Sequence, residues 1–156
     1  MLLKAMPRNI PQNVAAFALL LLLAAPLGAQ KTPEALKAEA ERASGGRQAV
    51  LYAKLAQQLV DVADHQFSDA LPDQGQATVQ DVLKYATLAR DISVKTRGKM
   101  KETEIHLREA ERRLEAVRRT LSIDDRPPLE QVEKQLEKLR KDLLDAMFAP
   151  KKENKP

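Results

Sequence analysis

The chain has 156 residues, with 26 Lys and Arg, 22 Asp and Glu, two His and no Cys. The lack of Cys excludes disulfides and thiolate chemistry. An aromatic content of 3% disfavours a broad, aromatic-lined ligand pocket. A chain of this length suits one small domain, and no motif in it assigns a specific biochemical function.

The first 29 residues have the order of a secretory signal peptide. Lys4 and Arg8 precede an apolar run over 14–25, and Pro26, Leu27, Gly28 and Ala29 follow, with Leu27 an imperfect residue for a cleavage site. The run is shorter than the roughly 20 apolar residues that span a bilayer. We therefore expect cleavage after Ala29, export to the periplasm or the medium, and no membrane span in the mature chain. An uncleaved membrane anchor is the alternative.

Removal of residues 1–29 leaves 127 residues with 24 basic and 22 acidic side chains, a net charge of +2. Basic and acidic residues alternate closely, without an aromatic platform, so nucleic acid is not an expected partner. The mature chain is rich in helix-forming residues and shows no two-residue alternation typical of strands. We predict a helical domain over 30–149, a disordered polar tail over 150–156, and four helices at about 33–44, 47–70, 78–122 and 128–147.

The third predicted helix carries a 3-4 repeat of apolar and small residues from Val79 to Leu121, and its register holds without a skip. Such a repeat is typical of coiled-coil packing, and a helix of this length would extend for about 65 Å. Gly98 is its candidate bend, because Gly costs about 1 kcal/mol relative to Ala in a helix. The predicted fold is all-α: an elongated antiparallel bundle in which coiled-coil-like hairpins share one long central helix.

Residue pairing in an antiparallel hairpin keeps the sum of the paired numbers constant. A sum near 253 pairs the last helix with the second half of the long helix and brings Arg118 to Glu133 and Arg140 to Glu111. Opposite charges beside a seam specify partner and orientation. A sum near 148 pairs the second helix with the first half of the long helix. The short first helix either continues past Gly45 and Gly46 or folds back there.

The second helix has an additional Ala-rich stripe that suggests a contact surface. A helix with two apolar faces buries both or uses one for binding. The predicted contact residues on this stripe and the adjoining part of the long helix are Ala56, Val60, Ala63, Phe67, Tyr85, Leu88 and Ile92. The occupant would be a protein partner or a second copy of the chain. In the alternative interpretation, the first helix folds back over the stripe.

Asp61, His65 and Asp69 are weak metal-ligand candidates, because a four-residue spacing places them on one helix face. Imidazole and carboxylate groups bind divalent ions, but a solvated polar face explains the same pattern. No site is therefore assigned to a metal, and we expect no cofactor. The serines lie in no recognisable nucleophile elbow, and no Gly-rich phosphate loop is present, so we do not expect an enzyme.

These patterns favour an exported interaction or structural module that binds a protein partner or itself through helix seams. A holdase-like periplasmic chaperone and a metal-responsive helical protein are the alternatives.

Overall fold

The computed structural model describes residues 30–150. The predicted signal peptide and residues 151–156 of the predicted tail lie outside this range. The described residues form five α-helices and one short 3-10 turn before the last helix. Their bounds are α1 Pro33–Arg42, α2 Gly45–Ser68, α3 Pro72–Thr96, α4 Met100–Thr120 and α5 Arg126–Phe148. The all-α class is confirmed.

Helix α1 folds back along the first half of α2. It begins after Thr32, whose side chain accepts a hydrogen bond from the Ala35 amide, and it has Pro at its first position. Gly45 adopts a φ of 60°, which reverses the chain. Gln48 Nε2 then donates to the Ala40 carbonyl at 3.0 Å. The chain therefore turns at residues 43–45, and Gly46 already lies in the first turn of α2, which decides between the two predicted courses of the first helix.

Helix α3 begins six residues earlier than predicted, at Pro72 instead of residue 78. Helix α2 ends with Ala70 in the left-handed conformation, and the Leu71 amide donates to the Gln66 carbonyl at 2.9 Å. This pattern of bonds is typical of a Schellman motif. Because that motif already reverses the chain, Pro72 can start the next helix at once, where its missing N–H costs nothing.

The single long helix predicted over 78–122 is wrong. The chain leaves the helix between α3 and α4, where Arg97 and Lys99 have φ values of 51° and 55°. A second Schellman-type bond, from the Gly98 amide to the Ser93 carbonyl at 3.2 Å, ends α3. The hydroxyl of Thr103 donates to the Lys99 carbonyl at 3.0 Å at the start of α4. We call residues 97–99 the connector.

Contacts across the bundle show the direction of each helix. Gln57 on α2 bonds His106 on α4, and Asp61 bonds Arg113, so the residue difference stays near 50 and the two helices are parallel. Arg90 on α3 likewise bonds Asp142 on α5, and Arg97 reaches the Ala146 and Ala149 carbonyls. Helices α2 to α5 therefore form a bundle with alternating directions, in which α2 and α5 each pack against both α3 and α4.

One hydrophobic core runs through α1 to α5. Its fully buried large side chains are Leu55, Val60, Val79, Val82, Leu107, Leu114, Leu129, Val132, Leu136 and Leu143. Alanines fill the positions between them on α2, α3 and α4, so that the helices approach closely.

The predicted register of the last hairpin is confirmed by its two charge pairs. Arg118 Nε donates to Glu133 Oε1 at 2.8 Å, and Arg140 Nη1 donates to Glu111. The predicted register of α2 and α3 differs from the structure by one helical turn. The close approach of Gly46 to Gly98 and the bond from Thr78 Oγ1 to Gln66 Oε1 at 2.6 Å both give a sum of 144 instead of 148.

Candidate functional site

The Ala-rich stripe of α2 is part of the core and not a contact surface. Ala56, Val60 and Ala63 each have 0% of their surface exposed. Phe67 is half-buried and lies against Gly75 of α3, where a Cβ atom would come within 2.7 Å of the phenyl ring. In the folded chain these four side chains therefore pack within the bundle, and their binding of a partner stays a prediction. Other helices of the same chain cover the stripe.

The three predicted contact residues on α3 do not share one surface. The Tyr85 ring is buried and stacks on Tyr52, with ring centroids 5.8 Å apart. Ile92 is half-buried and packs against the core. Leu88 alone is exposed, with 36% of its surface accessible. A continuous apolar patch over these residues is therefore not formed.

The three candidate metal ligands do not converge. His65 is exposed on α2 and Asp69 is exposed just after its end, whereas Asp61 accepts a hydrogen bond from Arg113 Nη1 at 2.6 Å. Within residues 30–150, no group of three or more His, Asp or Glu side chains is placed to hold a metal ion. Arg113 also donates to Glu109, which Arg112 contacts as well, and these hydrogen bonds lower the pKa of Glu109 to about 2.

His106 on α4 is the other imidazole, and it is half-buried. Its Nδ1 lies 2.8 Å from Gln57 Oε1 on α2. Burial lowers the pKa of His106, and the nearby Lys54 charge lowers it further. The imidazole therefore favours its neutral form and joins α2 to α4 through a hydrogen bond.

A buried ion cluster joins α4 to α5. The Glu104 side chain is 7% exposed, and its Oε1 accepts hydrogen bonds from Arg140 Nε and Nη2 at 3.1 and 3.0 Å. Arg108 contacts the second oxygen of Glu104 at 3.2 Å. Arg140 also bonds Glu111, and these carboxylates raise its pKa despite the opposing effect of burial. The sequence pattern predicted the contact with Glu111 but missed Glu104, which lies seven residues, or two helical turns, before Glu111 and outside the paired register.

An open, mostly acidic groove of about 440 Å³ follows the α4–α5 junction. Burial raises the pKa of Glu133 on its wall, although the hydrogen bond from Arg118 acts in the opposite direction. The lining side chains are Glu111, Glu115, Arg118, Glu130, Glu133, Lys134 and Glu137. We call this feature the acidic groove.

A second groove, of about 460 Å³, lies along the outer side of α5 and is mostly basic. Its lining residues are Lys134, Glu137, Lys138, Arg140, Lys141 and Leu144. We call it the basic groove. Lys134 and Glu137 border both grooves, so the outer side of α5 separates an acidic from a basic surface. The sequence shows this only as alternating charges on the last helix.

The buried hydroxyl groups of Ser93 and Thr103 donate hydrogen bonds to backbone carbonyls. Ser93 Oγ donates to the Gly98 carbonyl at 2.8 Å, and Thr103 Oγ1 donates to the Lys99 carbonyl. Both side chains have 0% exposure. They therefore stabilise the connector, and their hydroxyl protons already have acceptors.

Comparison with protein-family models, with curated proteins and with solved structures found no match. Among the described residues, no helix has both the length and the hydropathy that a bilayer span requires.

Proposed function

We propose that the chain is an exported, non-enzymatic helical module that binds a protein partner through the outer side of α5. The observation that carries this proposal is the pair of oppositely charged grooves that border that helix. The apolar stripe on α2, which was the predicted contact surface, is buried in the core. We therefore assign partner recognition to the charged side chains along α5 instead of to the apolar stripe on α2.

The grooves define the chemistry of the partner. Five carboxylates line the acidic groove, so the partner segment would place Lys or Arg side chains there. Four basic side chains line the basic groove, so the same segment would carry acids on its other edge. Charge complementarity of this kind fixes orientation and speeds association more than it increases affinity. Binding would therefore weaken strongly as salt rises.

The exposed apolar residues give less support to the holdase-like alternative. The large ones are Leu71, Leu88, Ile105, Ile123, Leu144 and Phe148, and they belong to five different parts of the described chain. A holdase surface needs contiguous apolar area. Scattered single residues of this kind are normal on a folded protein.

Site-specific photo-crosslinking in intact cells tests the proposal. A photoreactive residue at Glu137, which borders both grooves, should give one discrete protein adduct. The same residue at Glu41, exposed on α1, should give none. The Glu115→Lys/Glu137→Lys variant, with the photoreactive residue moved to Glu130, should lose the adduct.

The matched control for that variant is Glu34→Lys/Glu41→Lys, which makes the same charge change on α1. This control should keep the adduct at Glu130. Equal adducts at Glu137 and Glu41, or an adduct that survives the reversed groove charge and 0.5 M salt, would contradict the proposal. Fractionation of the same cells shows whether the chain is exported.

A further inference from the structure

The connector between α3 and α4 is short and conformationally unfavourable. It has three residues, and two of them, Arg97 and Lys99, carry side chains in the left-handed region. Residues other than Gly rarely adopt this conformation, because Cβ approaches the following carbonyl. Gly98, which would tolerate a positive φ, does not adopt one. The chain therefore reverses direction at residues whose intrinsic preference is helical.

The buried stripes on the two sides of the connector are in phase. On α3 the stripe ends at Ser93, and on α4 it begins at Thr103. The separation of ten positions between them is divided 3-4-3 by Thr96 and Met100. If the connector became helical, one helix from Pro72 to Thr120 would thus carry a continuous seam on one side.

The two parts of the chain that the connector joins meet through extensive side-to-side packing. Helix α2 packs on α4, and α3 packs on α5. Asp61 bonds Arg113, and Arg90 bonds Asp142 across these contacts. The same contacts can form between two chains if each chain opens at the connector. Short, strained hinge loops favour exchange of this kind.

We propose that two copies of this chain form a domain-swapped dimer. In the dimer, residues 97–99 become helical, and the α4–α5 hairpin of each copy packs against α1, α2 and α3 of the other. The proposal is independent of the partner-binding role of α5.

The closed monomer has its own stabilising contacts. A Cβ atom on Gly98 would lie 3.0 Å from Gly46 Cα, so the closed turn depends on two glycines packed together. Arg97 donates to the carbonyls of Ala146 and Ala149 at the end of α5. The balance between monomer and dimer therefore depends strongly on the residues at positions 97–99.

Light scattering after size exclusion tests the proposal on the protein made from the full chain and refolded from urea at high concentration. Gly98→Ala should favour the dimer, because Ala prefers helix and its Cβ crowds Gly46. Each connector contributes about fivefold, and the dimer has two, so the dimer Kd should fall about 25-fold. Arg97→Gly/Lys99→Gly should raise the Kd more than about 100-fold, because Gly accepts the turn and disfavours helix.

Crosslinking distinguishes a swapped dimer from a dimer formed by surface contact. The chain has no Cys, so introduced pairs report without background. A short bis-maleimide should join Asp61→Cys to Arg113→Cys between chains in the dimer and within one chain in the monomer. The matched control pair, Arg118→Cys with Glu133→Cys, lies within the α4–α5 hairpin and should crosslink within one chain in both states.

Three results would overturn the proposal. These are the absence of dimer in wild type and in Gly98→Ala, equal dimer fractions in wild type and both connector variants, and a dimer whose 61–113 crosslink stays within one chain. If Gly98→Ala fails to fold, the comparison of wild type with the double-glycine variant and the crosslink pattern still decide the question.

Discussion

Arg140→Met should destabilise the bundle strongly, because it leaves Glu104 buried with less compensation. The Glu104 side chain is 7% exposed, and both hydrogen bonds to its Oε1 come from Arg140. Breaking a buried ion pair by removing one partner costs about 3–5 kcal/mol. Arg108 still contacts the other carboxylate oxygen at 3.2 Å. We therefore expect a loss near the lower end of that range, about 3 kcal/mol.

Urea unfolding followed by circular dichroism measures this loss directly. For a bundle of this size, about 3 kcal/mol corresponds to a decrease in Tm of roughly 10–15 °C. The double variant Glu104→Met/Arg140→Met should recover to within about 1 kcal/mol of wild type, because packed apolar side chains replace a buried ion pair at little cost. Glu111 then loses its partner too, but its side chain is 23% exposed and reaches water.

Lys37→Met is the surface control for Arg140→Met. Lys37 and Glu41 are 3.8 Å apart, and each side chain is more than half exposed. Such a pair contributes less than about 0.5 kcal/mol. The reasoning fails if Arg140→Met costs less than about 1 kcal/mol, or if the double variant is less stable than the single one.

Three further predictions concern the core, pH and processing. Val60→Glu should cost at least about 4 kcal/mol and abolish cooperative urea unfolding, whereas Leu88→Glu should stay within about 1 kcal/mol of wild type. Stability should fall as pH drops below about 6.5, because the folded pKa of His106 is lowered and the unfolded chain binds the proton first; His106→Asn should flatten urea midpoints between pH 7.5 and 5.5. Intact mass of the exported protein should place its N-terminus at Gln30; retention of residues 1–29 would contradict cleavage after Ala29.

The register of α4 and α5 was predictable because charge and size both depend on it. Large residues such as Leu114 and Leu139 alternate with paired ions, and shifting the seam by one turn would separate Arg118 from Glu133. The seam of α2 and α3 lacks this constraint. Its alanines alternate with larger side chains, and several registers place a large residue against a small one. The predicted register was consequently displaced by one turn.

The Ala-rich stripe is part of the core because α2 is buried on two faces. The sequence shows both apolar stripes but not which elements cover them. The prediction took 78–122 as one long helix with Gly98 as a candidate bend, so that only the first helix was available to cover the second face of α2. The fold places α4 against that face through Gln57 and Asp61. Once the connector turns the chain, residues such as Val60 become the centre of the core.

The connector itself gives a weak signal in sequence, and the reason is physical. A turn is usually recognised from Gly at the position with positive φ, but here Arg97 and Lys99 hold those positions while Gly98 contacts Gly46. Gly98 allows the two segments to pack closely, and it does not supply the positive φ of the turn. A repeat that stays in phase across such a turn is compatible with one helix or with two. Tertiary contacts, among them those of Gly98 with Gly46 and of Arg97 with the end of α5, therefore select between conformations that local preference alone does not distinguish.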